Sequence, residues 1–201
     1  MLAIPSGNIG LIIGIILLSG CLIKLIYDIF TKDLFSTRLN KYTLFADHIL
    51  LKKVDLETNI FDYVVFGNKY IYVINHLKGN GRLIGNEKDY NWILVKRKEN
   101  EEIRNTFALK SEEYKKIITL ADSDSSFFYN VIVLGNGIKY DNDIYLANPN
   151  YKIVDERSFF KLIMSLERNQ ELPDVLVEEI EKAATNIYKE SYRNKLKRKK
   201  K

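Results

Sequence analysis

Hydrophobic positions fall into three regimes along this chain. From Met1 to Ile23 no side chain is charged, and the run IGLIIGIILLSGCLI is almost wholly aliphatic. At 1.5 Å per residue, about 20 such residues cross the hydrocarbon core of a bilayer, so residues 1–35 are expected to form a transmembrane helix and its connector, polar around 31–41. Between His48 and Arg97 the period drops to two. HILLKKVDL (48–56) reads as a strand, closed by the turn cluster Asp55, Glu57, Thr58 and Asn59. IFDYVVF (60–66) and KYIYVIN (69–75) flank Gly67-Asn68, residues that tolerate positive φ, and read as a β-hairpin. GRLIG (81–85) and NWILVKR (91–97) continue the sheet.

The period then lengthens to that of a helix. SEEYKKIITLA (111–121) opens on a Ser cap and sets Tyr114, Ile117, Ile118 and Ala121 on one face. A buried-type strand follows at 127–134, ended by Gly135-Asn136-Gly137, and a short strand at 151–154 leads into a helix from Glu156 to Glu167. Pro173-Asp174 opens a last helix with Val175, Val177, Ile180 and Ala184 on its apolar face. Several strands, helix, strand, helix, helix predicts an α/β domain over residues 36–190, a central mixed β-sheet flanked by helices. Residues 191–201 read as a basic tail.

Flanking charge orients the N-terminal span. None precedes it, whereas Lys24, Lys32, Arg38 and Lys41 follow, so the positive-inside rule places the C-terminal domain in the cytoplasm of a single-pass cell-membrane protein. An alternative is export as a lipoprotein lipidated at Cys21, because Leu18-Ser19-Gly20-Cys21 resembles a lipobox. Against it, no basic residue precedes the cysteine and the apolar run continues to Phe30. Gly10 and Gly14 form a G-x-x-x-G pair able to bring two such helices together as a homodimer, although glycine is also simply common in membrane helices.

Charge changes the picture only once it is located. The chain of 201 residues carries a net charge of +5. Seven basic residues, Arg193, Lys195, Lys197, Arg198, Lys199, Lys200 and Lys201, occupy the last nine positions, and without them the rest of the chain stands at −2. An anionic partner, either nucleic acid or the anionic cytoplasmic leaflet, is therefore expected at the tail. The single cysteine allows no internal disulfide and two histidines are too few for an ordinary zinc site. No G-x-x-x-x-G-K-[ST] or G-x-G-x-x-G loop is present to cradle a nucleotide.

One block carries a more specific pattern: Phe61-Asp62-Tyr63-Val64-Val65, then Tyr72-Val73-Ile74-Asn75-His76-Leu77, then Gly81-Arg82-Leu83-Ile84-Gly85 and Trp92. It resembles the nuclease-related domain, NERD, in which a strand carrying hydrophobic-Asp-hydrophobic is followed by a strand ending Ile-Glu-x-Lys, a G-x-[IL]-x-G element and a Trp. The similarity spans roughly residues 45–185, with specific matches in about 35 of them. It implies a restriction-endonuclease-like fold, and a membrane helix ahead of the domain is common in that family.

What it implies for catalysis is loss. Metal-dependent phosphodiester cleavage needs carboxylates on adjacent strands to hold a hard divalent ion, and a lysine to support developing charge. By the resemblance, Asp62 keeps the first carboxylate position and would be a remnant metal ligand. Asn75 stands at the position of the glutamate and Leu77 at that of the lysine. His76 and Lys78, one residue out of phase, point to the opposite face. The expectation is a non-catalytic binding or scaffolding module without a cofactor, with anion-binding residues Lys195, Lys197, Arg198, Lys199, Lys200 and Lys201. The alternative is an active nuclease using Mg²⁺ with migrated residues, Asp62 with Glu57 or Asp55.

Overall fold

The computed structural model describes residues 19, 21–23, 34–45, 48–56, 60–86, 88–89, 91–104, 112–122, 127–140, 146, 148–168 and 177–199. The chain divides into two compact units, residues 1–41 and 42–201. In the first, residues 21–23 are helical and Cys21 is exposed. Helix α1 (Leu34–Phe45) begins where the sequence reads as a polar connector. Its run LFSTRLNKYTLF holds neither Gly nor Pro, and Phe35, Leu39 and Thr43 recur at four-residue spacing as a buried stripe. Among the described residues no helix is long and apolar enough to cross a membrane. The anchor expected over 1–35, with Gly10, Gly14 and Lys24, falls almost wholly outside them.

The second unit is a mixed α/β fold built on two sheets, where the sequence pattern suggested one. The first sheet has the order β1-β2-β3-β7-β9, from β1 (Ile49–Asp55), β2 (Ile60–Phe66), β3 (Ile71–Leu77), β7 (Phe128–Leu134) and β9 (Tyr151–Asp155). β1, β2 and β3 form an antiparallel meander, and β7 and β9 join it in parallel. The Gly67-Asn68 hairpin forms as the sequence suggests, Gly67 N donating to Tyr70 O at 2.9 Å.

The second sheet, order β6-β5-β4-β8, comprises β4 (Asn80–Ile84), β5 (Asn91–Val95), β6 (Asn100–Arg104) and β8 (Gly137–Tyr140). It continues the β3/β7 pair after a break. β4 follows β3 and β8 follows β7, both pairs are parallel, and Gly135 N donates to Leu77 O at 2.8 Å across the break. Gly79, at φ 114°, supplies the left-handed backbone that the break in β3–β4 demands. β6 and β8 do not show in the hydrophobic pattern, because NEEIR is a polar edge strand and GIKY is very short.

Three further helices cover the sheets: α2 (Glu112–Ala121), α3 (Glu156–Glu167) and α4 (Val177–Lys199). One core joins Val64, Val73 and Ile132 of the first sheet to Leu83, Trp92 and Leu94 of the second, closed by Ile117 of α2 and by Ala183, Ala184 and Ile187 of α4. Every residue of β7 is buried, which accounts for its unbroken apolar run. Trp92 is fully buried, and its indole occupies the space a side chain at Gly85 would need. Its Nε1 donates to Asn86 O at 2.7 Å. The Gly-x-Leu-x-Gly…Trp pattern is thus a packing device.

Residues 191–199, which read as a tail, are the last turns of α4. Glu178 and Glu179 in its first turn and Lys197, Arg198 and Lys199 in its last match the helix dipole at both ends. The boundary expected at residue 190 is therefore no break in the fold.

Candidate functional site

Lys53, Asp62 and Asn75 meet on three adjacent strands. The antiparallel β1–β2 ladder pairs Lys52 with Tyr63 and Val54 with Phe61, which sets Lys53 opposite Asp62. Lys53 itself has φ 50°, a left-handed kink at this point in β1. Its Nζ lies 2.5 Å from Asp62 Oδ1. On the other side the β2–β3 ladder ends at Tyr63↔Ile74, so one step further Asp62 and Asn75 face each other. There Asp62 Oδ2 accepts from the backbone N–H of His76 at 2.9 Å. The carboxylate thus replaces a β2 carbonyl where the strands part, and both of its oxygens have protein donors.

By register Asp62 and Asn75 face each other, and the chemistry around them is that of a closed polar contact. The buried Nδ2 of Asn75 finds no hydrogen-bond acceptor among the described residues. Leu77, at the expected lysine position, packs against the core. His76 is out of phase, as alternation requires: its Nε2 lies 2.9 Å from Glu156 Oε1 at the start of α3. Among the described residues no group of three or more His, Cys, Asp or Glu side chains is placed to hold a metal ion. Glu57 lies outside them. Asp55 is almost fully buried, and Arg198 Nε lies 2.7 Å from its Oδ2. Its backbone N–H donates to Ser191 Oγ at 2.9 Å and its carbonyl accepts from Asn194 Nδ2 at 3.0 Å. Asp55 therefore ties α4 to β1 and is committed to that structural task.

Beside Lys53 runs a shallow groove between the β1–β2 edge and the last turns of α4, lined by Lys53, Ile60, Tyr192, Lys195, Leu196 and Lys199. Of the expected anion-binding residues, Lys197 and Lys199 are exposed and Lys195 is half-buried in this groove. Arg198 turns inward to Asp55, and Lys200 and Lys201 lie outside the described residues. The outward side of α4 carries three exposed apolar residues at four-residue spacing, Tyr188, Tyr192 and Leu196. The two tyrosine rings stack with centroids 6.3 Å apart.

A separate polar cluster fixes the β2–β3 turn. Glu167, at the end of α3, accepts from Asn68 N at 2.8 Å, Lys69 N at 3.1 Å and the Tyr72 hydroxyl at 2.6 Å. Burial, and then the nearby Glu167 charge, push the Tyr72 hydroxyl far above the ordinary tyrosine range, so it remains a donor. Sequence reasoning missed Glu167, the His76–Glu156 contact and the Asp55–Arg198 pair, which join residues far apart in the chain. Lys53 carried a usable signal, since a hairpin closing at Asp55 and Ile60 sets it opposite Asp62.

No protein-family model matches the chain, and neither a curated protein nor a solved structure is significantly similar to it.

Proposed function

We propose that the chain is a membrane-anchored, NERD-like module of restriction-endonuclease-like fold that binds rather than cleaves, at the cytoplasmic face of the membrane. One observation carries this reading: Asp62, at the family's first carboxylate position, is neutralised by Lys53 and bonded to His76 N–H, with a neutral Asn75 opposite. A hard divalent ion is held by several anionic oxygens, and here the facing residue supplies none. The cations of α4 supply the surface for an anionic partner, lipid or nucleic acid, and the N-terminal apolar segment supplies the tether. Scaffolding follows from holding such a surface at a fixed place.

The competing reading is an active Mg²⁺-dependent nuclease in which Asp62 works with Glu57 or Asp55. The burial of Asp55 against Arg198 weighs against the latter pairing. The deciding experiment incubates the purified full chain with single- and double-stranded DNA and RNA in Mg²⁺ or Mn²⁺. No cleavage is expected from the wild type or from Asp62→Ala. Cleavage that Asp62→Ala abolishes overturns the binding reading, and large activity in Asn75→Glu/Leu77→Lys would mark a decayed catalytic site.

A further inference from the structure

We infer that the outward face of α4 is a docking face for anionic lipid headgroups, so that the domain lies against the membrane along its last helix. Around the axis of α4 two unlike faces alternate. Ala183, Ala184, Ile187, Ser191 and Asn194 are buried, and α4 packs on β1 and α2. The opposite side exposes Tyr188, Tyr192 and Leu196, at 58%, 53% and 41% of their free surface. These exposures are large for three apolar residues in one row, so burying the stripe elsewhere yields free energy that the fold leaves unused.

The charges flanking that row select the partner. At 3.6 residues per turn, Lys195 and Lys199 fall on one flank and Lys189 and Arg193 on the other. Across the groove from the first flank lie the exposed Ile60 and Lys53, the latter paired with Asp62 and so adding no net charge. Glu190, held below the ordinary carboxylate range chiefly by its hydrogen bond to Lys116, stays charged and lies 2.9 Å from Lys116 and 3.7 Å from Arg193, so it offsets part of the Arg193 charge, while the exposed Glu181 lies beyond Tyr188 at the other end of the stripe. An aromatic and aliphatic stripe between two rows of lysine and arginine is the arrangement of a helix lying in the headgroup plane. There tyrosines sit at the interface, aliphatic side chains reach the acyl boundary, and each cation gains about 1 kcal/mol near an anionic leaflet. A single nucleic-acid strand would also welcome the cations and tyrosines, but it has no use for Leu196 and Ile60. The aliphatic members decide for lipid.

The inference shares its membrane placement with the proposed function, and the test separates the two. The full chain carrying Tyr192→Trp is assembled into nanodiscs of phosphatidylcholine alone or mixed with phosphatidylglycerol, each with brominated acyl chains. Emission is read against the wild type, whose only tryptophan, Trp92, is buried. Docking predicts a blue shift and strong quenching in discs with phosphatidylglycerol, weak quenching without it, and reversal by salt. Adding Lys189→Gln and Lys199→Gln should shift the docked-to-free ratio by about fivefold per lysine. Equal quenching in both lipids, or none in either, overturns the inference. So does a response of the introduced indole to a single-stranded oligonucleotide and not to lipid. Alkaline carbonate extraction reads the tether independently: extraction without loss of quenching refutes the anchor and leaves the docking face standing, whereas retention without quenching does the reverse.

Discussion

Arg198 and Asp55 lie 143 positions apart and meet at 2.7 Å, the guanidinium half-exposed on the last turn of α4 and the carboxylate sealed at the end of β1. Ser191 and Asn194 hold the Asp55 backbone from the same helix. Removing the cation takes a charge-assisted partner from a buried carboxylate, which costs more than the pair contributes. Arg198→Ala should destabilise the chain by about 1–3 kcal/mol, a shift of several degrees in thermal unfolding. Lys199→Ala, one residue further and exposed, should leave the melt within about 0.5 kcal/mol of wild type.

At the strand junction, Asp62 should matter more than its lysine. The Lys53 side chain is 68% exposed, so its pair contributes about 0–1 kcal/mol. Asp62→Ala also leaves the His76 N–H without its acceptor and should cost about 1–3 kcal/mol. Urea melts of Lys53→Met, Asp62→Ala and the double variant test this, and equal losses from the two single variants would contradict it.

Asn75 carries an amide nitrogen with no acceptor among the described residues. Asn75→Val should therefore be neutral or stabilising by up to about 1 kcal/mol, since a β-branched residue also suits the strand. Asn75→Glu should destabilise, because it sets a carboxylate facing Asp62. Its pKa would be raised in the folded state, so its penalty is present at neutral pH and relieved as pH falls. Comparing melts at pH 7 and pH 5 reads the sign directly.

Asp155 caps α3, accepting from Arg157 N at 2.8 Å and Ser158 N at 2.9 Å. Its carboxyl is held below the ordinary value, first by the Ser158 hydroxyl and then by the Ser158 N–H. The depressed folded pKa means that the cap's contribution is complete above the unfolded pKa, near 4, and is lost as pH falls through the lower folded value. Asp155→Ala should cost about 1 kcal/mol at pH 7, and the gap to wild type should close in acid.

Gly67 leaves room for the Glu167 carboxylate, which a Cβ would strike. Gly67→Ala and Glu167→Ala should each loosen the β2–β3 turn, and hydrogen exchange should show faster exchange at the Asn68 and Lys69 amides in both variants.

Elements with a strong period were legible in the sequence: β2, β3 and β7 from their apolar runs, and α3 with the bounds its pattern suggested. α1 was not, because its buried stripe is interrupted by Ser, Thr and Arg and reads as connector. The second sheet was not, because its edges β6 and β8 are polar or short and its break from the first lies at two glycines. At the site, the facing of Asp62 and Asn75 was legible from strand phase, whereas the partners that fix their state come from elsewhere. Lys53 follows from the β1–β2 register, but its left-handed backbone does not, and Glu156 reaches His76 across 80 positions.

The persistence of α4 to Lys199 gives the chain an unusual weak point. A helical segment rich in lysine and arginine is a natural target for trypsin-like proteases, and a cut after Lys197 would separate Arg198 from the rest of α4. Damage in these last turns of α4 would then be felt at β1, beside the Lys53–Asp62 contact, so a single cleavage there becomes a change in fold stability and not merely in surface charge.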